Sequence, residues 1–399
     1  MKERRRGKNL TAFIAAVLLF LFLDPYFMWG LYKTTPLYAF LGVLLMALFL
    51  PQADIKSKKR GSLFILYTIL LLLSTLYGDL NFFGFLGTLC MLFVPFAKEE
   101  FARKTFDYFL TIYSVIIGVS AVVWGLSLAG IIQPIGRIEA LNELKSYNYD
   151  VYPLLVRANN FELLVRFCGP FDEPGVVGTI SALILAIGKF NLKDKRLLIV
   201  FISGILSMSL YYYGTVAVYY IIYTLTVSRD WKAGVFIAML VAAFVILSFN
   251  NEEFYDLFLA RLEWNEETGS IAGDNRLQDG SMSLLKRYAG TSAIFFGIGK
   301  TDEFLRATDG EMSLFVTIIQ YGLFFVLTYI YVFVAYGWRY KRGLVTYLLF
   351  LFVLLGCLYQ RPSLFQPEYL FLFSLLAMSC GDLVRSNKTE RTIKNNNQR

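Results

Sequence analysis

Arg166-Phe-Cys-Gly-Pro-Phe-Asp-Glu-Pro-Gly175 leads directly into Val176-Val-Gly-Thr-Ile-Ser-Ala-Leu-Ile-Leu-Ala-Ile187. The first stretch joins an arginine, a turn glycine, an aromatic ring and two carboxylates; the second carries no charge. The same alternation of apolar run and polar break recurs along the chain. It places any chemistry in the segments between the runs.

Working outward, the chain has 399 residues, of which 57% are hydrophobic and 17% charged. A composition this apolar is expected of a membrane protein rather than of a soluble domain. A helix needs about 20 apolar residues to cross the hydrocarbon core. About twelve candidate runs of roughly 15–25 residues are read. They cover 10–31, 35–51, 61–78, 80–97, 106–130, 174–190, 197–212, 214–228, 234–249, 312–338, 344–359 and 363–381. The predicted fold class is therefore an all-α polytopic membrane protein with about 12 transmembrane helices and both termini cytoplasmic. One polytopic domain would occupy 1–399, with long external loops at 131–173 and 250–311 and a polar cytoplasmic tail at 386–399.

The distribution of Lys and Arg agrees with that topology. Basic residues cluster before the first run, at Lys56–Arg60, around Lys98 and Arg103, at Lys189–Arg196, at Arg229 and Lys232, at Arg339–Arg342, and from Arg385 onward. Every second connection is basic. The net charge of +8 then reports orientation, not affinity for nucleic acid. The outer face would be net acidic. The N-terminal run resembles a signal peptide, but Asp24-Pro25 follows it instead of a small-residue cleavage site, so it reads as an uncleaved first span.

The two long loops read as partly helical. Phe161, Leu164, Val165 and Cys168 fall at helical spacing, as do Phe254, Leu257, Phe258 and Leu262. Such segments could lie on a membrane surface or pack on the spans.

The chain contains no histidine. That removes the commonest general base and metal ligand, and leaves carboxylates as the leading candidate bases. The four cysteines form no CxxC pair, so neither a metal nor a disulfide is expected. No phosphate-binding GxxxxGK[ST] loop is present, and no cofactor is expected. The outer loops hold Arg137, Arg157, Arg166, Arg261, Arg276, Arg287, Arg306 and Arg361, whose forked guanidinium groups suit a diphosphate or are solvated loop charges.

Two readings fit the ten-residue stretch. In one, Gly169 and Pro170 make a turn, Asp172 or Glu173 caps a helix, and Pro174 takes its first position. In the other, a carboxylate beside Arg166 takes a proton from a sugar hydroxyl while arginines hold a leaving diphosphate.

The pattern Arg166-x-x-Gly169-x-Phe171-x-Glu173-Pro174 resembles the RxxGxFxEP pattern of Wzy-type O-antigen and capsular polysaccharide polymerases, members of the superfamily that includes the O-antigen ligases. Ser207-Met-Ser209 through Gly214, Asn275-Arg276, Gly297-Ile-Gly299 and Glu311 through Gly322-Leu323 follow in the same order, so the likeness covers about residues 157–335.

The resemblance implies a glycosyltransferase that joins undecaprenyl-diphosphate-linked oligosaccharide units outside a bacterial plasma membrane, without metal. Donor and acceptor would both be lipid-linked, with membrane lipid and a chain-length regulator as further partners and no nucleic acid. Glu173, with Glu311 second, would be the catalytic base. Arg166, Arg276, Arg261 and Arg157 would hold the diphosphate. Gly169, Phe171, Asp172 and Pro174 would complete the motif, and Tyr211–Tyr213 would stack on sugars or form an interfacial belt. Glu311 stands where the ligases tend to carry a histidine, which favours polymerase over ligase. From another class, a lipid-linked oligosaccharide flippase or transporter is the alternative, although the runs carry almost no internal charge.

Overall fold

The computed structural model describes residues 2–32, 35–77, 82–138, 148–158, 166–228, 231–250, 255, 260, 263–265, 270–271, 279–308, 313–362 and 364–380. The first half holds helices α1 (Lys2–Leu21), α2 (Tyr26–Tyr32), α3 (Thr35–Phe49), α4 (Lys58–Tyr77), α5 (Phe82–Cys90) and α6 (Glu99–Leu128). Strands β1 (Gly136–Ile138), β2 (Tyr149–Tyr152) and β3 (Leu155–Ala158) follow. Next come α7 (Pro174–Ile187), α8 (Lys195–Leu206), α9 (Leu210–Thr215), two π-helical turns and α10 (Trp231–Asn250). The last part contains the two-residue strands β4 (Trp264–Asn265) and β5 (Ser270–Ile271), then α11 (Asp279–Tyr288), α12 (Ala293–Phe296), α13 (Asp302–Thr308), α14 (Leu314–Tyr321), α15 (Leu323–Tyr340), α16 (Leu344–Gln360) and α17 (Pro367–Ser379).

Helices α7 and α17 form the centre. Both are apolar on every side, and a helix of that kind must be covered on every side. Every residue of α17 is buried, as is every residue of α7 except Gly175. They pack on each other; α8 and α9 cover α7, while α15 covers α17. Helix α6 lies between α1 and α8. Full burial of each Leu, Ile or Val in this core contributes about 1.5–3 kcal/mol.

The expectation of about twelve spans is corrected by helix length. Among the described residues, three helices are long and apolar enough to cross a membrane: Lys58–Tyr77, Glu99–Leu128 and Leu323–Tyr340. Each keeps an exposed apolar stripe, such as Ile65, Ile69 and Leu76 on α4 and Val115, Val119 and Val122 on α6. Several of the other apolar runs break early. The run 10–31 ends its first helix at Leu21, where Asp24 takes φ 58° before Pro25. The run 174–190 yields the 14-residue α7, about 21 Å long at 1.5 Å per residue. The run 197–212 is cut at Met208, φ 51°, and 312–338 at Gly322, φ 89°. The all-α polytopic class and the multi-pass placement in a bacterial plasma membrane are therefore not retained.

The first long loop also contains antiparallel structure that the sequence reading did not expect. Tyr149–Tyr152 pairs with Leu155–Ala158 across the two-residue turn at Pro153 and Leu154, and with Gly136–Ile138 on its other edge. Tyr149, Val151, Val156 and Ala158 close over Trp29 in a small second core. Phe161, Leu164 and Val165 lie outside the described residues, as do Phe254, Leu257, Phe258 and Leu262. Within 250–311, α11, α12 and α13 are helical.

A carboxylate and arginine candidate site

The ten-residue stretch is a tightly held turn. Gly169 takes φ 60°, and an added Cβ would lie 2.6 Å from Ile117 Cδ1, so the position needs glycine. Its carbonyl accepts from Val156 N–H at 2.9 Å, and the Pro170 carbonyl accepts from Tyr26 N–H at 2.7 Å. Phe171 is buried between Phe20 and Tyr113, with ring centroids 6.3 and 6.4 Å away. The Asp172 carbonyl accepts from Tyr149 Oη at 3.0 Å. Sheet, α2 and α6 thus fix the entry to α7.

Glu173 occupies the N-cap position of α7 in extended conformation, and Pro174 takes the first turn, as the capping reading expected. The Glu173 side chain does not cap, however. By contrast, Asp194 accepts from Arg196 N–H at the start of α8, and Ser313 accepts from Val316 N–H at the start of α14. The Glu173 carboxylate instead forms an ion pair with Arg361, across 188 positions of sequence. Arg361 stands at the end of α16, and its Nη2 passes 3.0 Å from where a Cβ on Gly175 would sit. Gly175 leaves room for the guanidinium against the first turn of α7. The pair is partly open to solvent, with 41% of the Glu173 side chain and 22% of that of Arg361 exposed.

Three more carboxyls stand on neighbouring segments: Asp172, Asp24 and Glu368. Asp172 lies within electrostatic reach of both Arg361 and Asp24. Glu368, in the first turn of α17, is 2% exposed, and its Oε2 finds no hydrogen-bond partner among the described residues. Burial pushes the Glu368 carboxyl well above the ordinary carboxylate range, against the pull of its own backbone N–H, and Asp24 adds to the rise. Asp24 is accessible at one edge, but burial and then the charge of Asp172 raise it to about 7. Arg361 loses hydration, yet Glu173, Tyr369 and Asp172 hold its charge more firmly than usual.

The arrangement sets an ion-paired carboxylate apart from Asp24 and Glu368, whose carboxyls burial pushes towards the neutral form. Such divergence between neighbouring acids is the basis of acid–base catalysis by carboxyl groups. It also sets a pH dependence. A carboxyl raised in the fold binds more protons folded than unfolded, so stability falls as pH rises from the ordinary value of 3.8 towards 7. The melting temperature is expected to fall as pH rises from 3.8 to about 7, and Asp24→Asn is expected to flatten that slope. Calorimetry on both proteins measures it; an unchanged slope in the variant would exclude Asp24 as a source.

The remaining sequence-derived candidates go elsewhere. Arg166 donates to the carbonyls of Ser207 and Met208, at 3.4 and 3.3 Å, and so braces the turn between α8 and α9. Arg157 pairs in register with Asp150 across the sheet and donates to Ser127 Oγ at 3.0 Å. Tyr211 and Tyr212 donate to the carbonyls of Val353 and Phe201, so their hydroxyls serve packing. Arg261, Arg276 and Glu311 lie outside the described residues. No cluster of metal-ligating side chains occurs among the described residues. Sequence reading counted Arg361 only as one of many loop arginines and passed over Asp24 and Glu368 as site residues. The polar breaks Asp24-Pro25 and Pro367-Glu368 at the edges of apolar runs were the available signals.

No family model, curated protein or solved structure matches this chain. The likeness to the Wzy-type polymerases rests on short motifs alone. With neither a matching family nor the expected number of span-length helices, it is withdrawn, together with the polymerase and ligase functions drawn from it and the flippase or transporter alternative that rested on twelve spans.

Proposed function

We propose that the chain is a glycosyltransferase working through Glu173 and Arg361 on a diphosphate-linked sugar donor. One observation carries the reading: Glu173 holds the N-cap position yet directs its carboxylate to Arg361, at an accessible edge with Asp172 nearby. A helix cap would have no need of that partner. The surplus of carboxylates over guanidinium groups suits a hydroxyl-rich ligand, since each carboxylate oxygen accepts from a sugar hydroxyl. Arg361 retains a buried Nε–H without an acceptor among the described residues, a donor suited to a phosphate oxygen. In the reaction Glu173 takes the proton of the acceptor hydroxyl as that oxygen bonds the anomeric carbon. The bond to the diphosphate breaks, and Arg361 offsets the charge left on it.

The test is sugar transfer by purified protein from polyprenyl-diphosphate-linked sugars to soluble sugar acceptors, read as release of the lipid diphosphate. Glu173→Gln is expected to slow transfer about 10²–10⁴-fold while the protein stays folded. Wild-type rates in this variant, or no transfer by the wild-type protein across the donor panel, would overturn the proposal.

A further inference from the structure

Helices α4 and α15 pack on each other, and each leaves an apolar stripe open: Ile65, Ile69 and Leu76 on α4, Leu327, Tyr331 and Trp338 on α15. Neither helix contains an acidic residue. Their charges gather at one end. Lys56 precedes α4 and Lys58 and Lys59 open it, while Arg339, Lys341 and Arg342 close α15 and follow it. Two contacts hold these ends side by side. Arg60, 4% exposed, donates to the Tyr340 hydroxyl and to the Asp54 carboxylate, with its guanidinium 5.6 Å from the Tyr336 ring centroid. Arg339 Nη1 donates to Ser57 Oγ at 3.1 Å. Asp54 is thereby committed to Arg60, and the six outer cations form no ion pair among the described residues. A helix N-terminus carries partial positive charge, so Lys58, Lys59 and Arg60 oppose the helix they begin. Six like charges gathered on two joined ends also repel one another, unless an anion outside the chain offsets them. The far end of α4 differs. There Lys300 N–H donates to the Tyr77 carbonyl at 3.1 Å, and the charges that follow are mixed, with Glu303 paired to Arg287.

We propose that the joined basic ends of α4 and α15 bind the phosphate groups of an anionic lipid surface, with the apolar stripes of both helices against its acyl chains. Charge complementarity selects the occupant: Lys56, Lys58, Lys59, Arg339, Lys341 and Arg342 face it without acidic partners, and phosphate diesters are the matching anions. The stripe and the cations meet at Trp338, whose exposed ring carries the Lys341 ammonium 3.5 Å from its centroid. An indole beside a lysine suits the level where acyl chains give way to headgroups. A soluble polyanion would satisfy the cations and leave both stripes in water. Arg60 is a positioning residue, since it touches Asp54 and Tyr340 and is itself buried. The assignment does not rest on the transfer reading.

The experiment is flotation of the purified full-length protein with vesicles of phosphatidylcholine alone and of phosphatidylcholine and phosphatidylglycerol in equal parts. The readout is the ratio of binding to the two, which cancels the apolar contribution common to both. Wild-type protein is expected to prefer the anionic vesicles at low salt and to lose that preference at high salt, where counterions screen exposed charge. Each basic side chain beside an anionic surface changes binding roughly fivefold, so Lys58→Gln, Lys59→Gln and Arg342→Gln together are expected to lower the ratio about 10²-fold. All three side chains are exposed, so this variant is expected to fold. Lys286→Gln, Lys300→Gln and Arg306→Gln together remove the same charge from exposed positions beyond the far end of α4, and are expected to leave the ratio unchanged. Equal binding of wild-type protein to both vesicles, or an equal loss in the two variants, would overturn the proposal. Inorganic phosphate is expected to compete no better than chloride of the same ionic strength. Release from the vesicles by phosphate alone would make this a site for the free anion and refute the lipid assignment.

Discussion

Gly322→Ala is expected to destabilise the protein by on the order of 4 kcal/mol or more, among the largest effects a single methyl can have. Gly322 joins α14 to α15 at φ 89° and ψ 154°, a region essentially reserved for glycine. An added Cβ would overlap the Phe295 carbonyl oxygen and lie 2.5 Å from the Phe296 carbonyl carbon and 2.6 Å from Gly297 N. The contact is reciprocal, because a Cβ on Gly297, at φ 79°, would overlap the Gln320 carbonyl oxygen and lie 2.7 Å from Gly322 N. The two backbones pass against each other and are joined by Ile298 N–H to Ile319 O and Gly299 N–H to Gln320 O, each 2.9 Å. Backbone cannot yield as a side chain can, so strain and overlap add. Thermal or denaturant unfolding measures the effect, and a melting temperature equal to that of the wild type would refute the packing described.

Arg361→Met is expected to cost about 2 kcal/mol, below the loss from breaking a fully buried ion pair, because both partners are partly exposed. The change removes the cation that Glu173 and Asp172 share and leaves carboxyls facing one another. Asp24, raised to about 7 by burial and by the charge of Asp172, adds a further negative charge above that value, so the loss is expected to be larger at about pH 8 than at about pH 5. Glu173→Gln removes one of the stranded charges, so the double variant Glu173→Gln with Arg361→Met is expected to recover part of the loss. A double-mutant cycle at both pH values reads the coupling. Strictly additive single effects would mean that the pair contributes nothing to the fold.

These expectations mark how much the sequence disclosed. Gly297-Ile-Gly299 and Gly322-Leu323 were visible as motifs, but nothing local shows that they lie back to back. Pro174 announced the start of α7, and Glu173 stands where a cap belongs. That its carboxylate bypasses the cap follows from the position of Arg361, 188 residues away. Tyr149-Asp-Val-Tyr-Pro-Leu-Leu-Val-Arg-Ala158 carries the alternation and turn of a hairpin, a period-2 signal masked by the helical reading of its surroundings.

By itself the sequence determined where the apolar runs lie, that Pro174 opens a helix, and that carboxylates and arginines, without histidine, must carry any acid–base chemistry. These are local properties, set by side-chain polarity, backbone freedom and the helix period. Tertiary structure alone decided which apolar helices are central and which keep exposed stripes, because a short buried helix and a short span share one composition. It also decided which acids keep their protons. A carboxyl's charge depends on the water it loses and the charges brought beside it, and for Asp24, Glu173, Arg361 and Glu368 those neighbours come from distant parts of the chain.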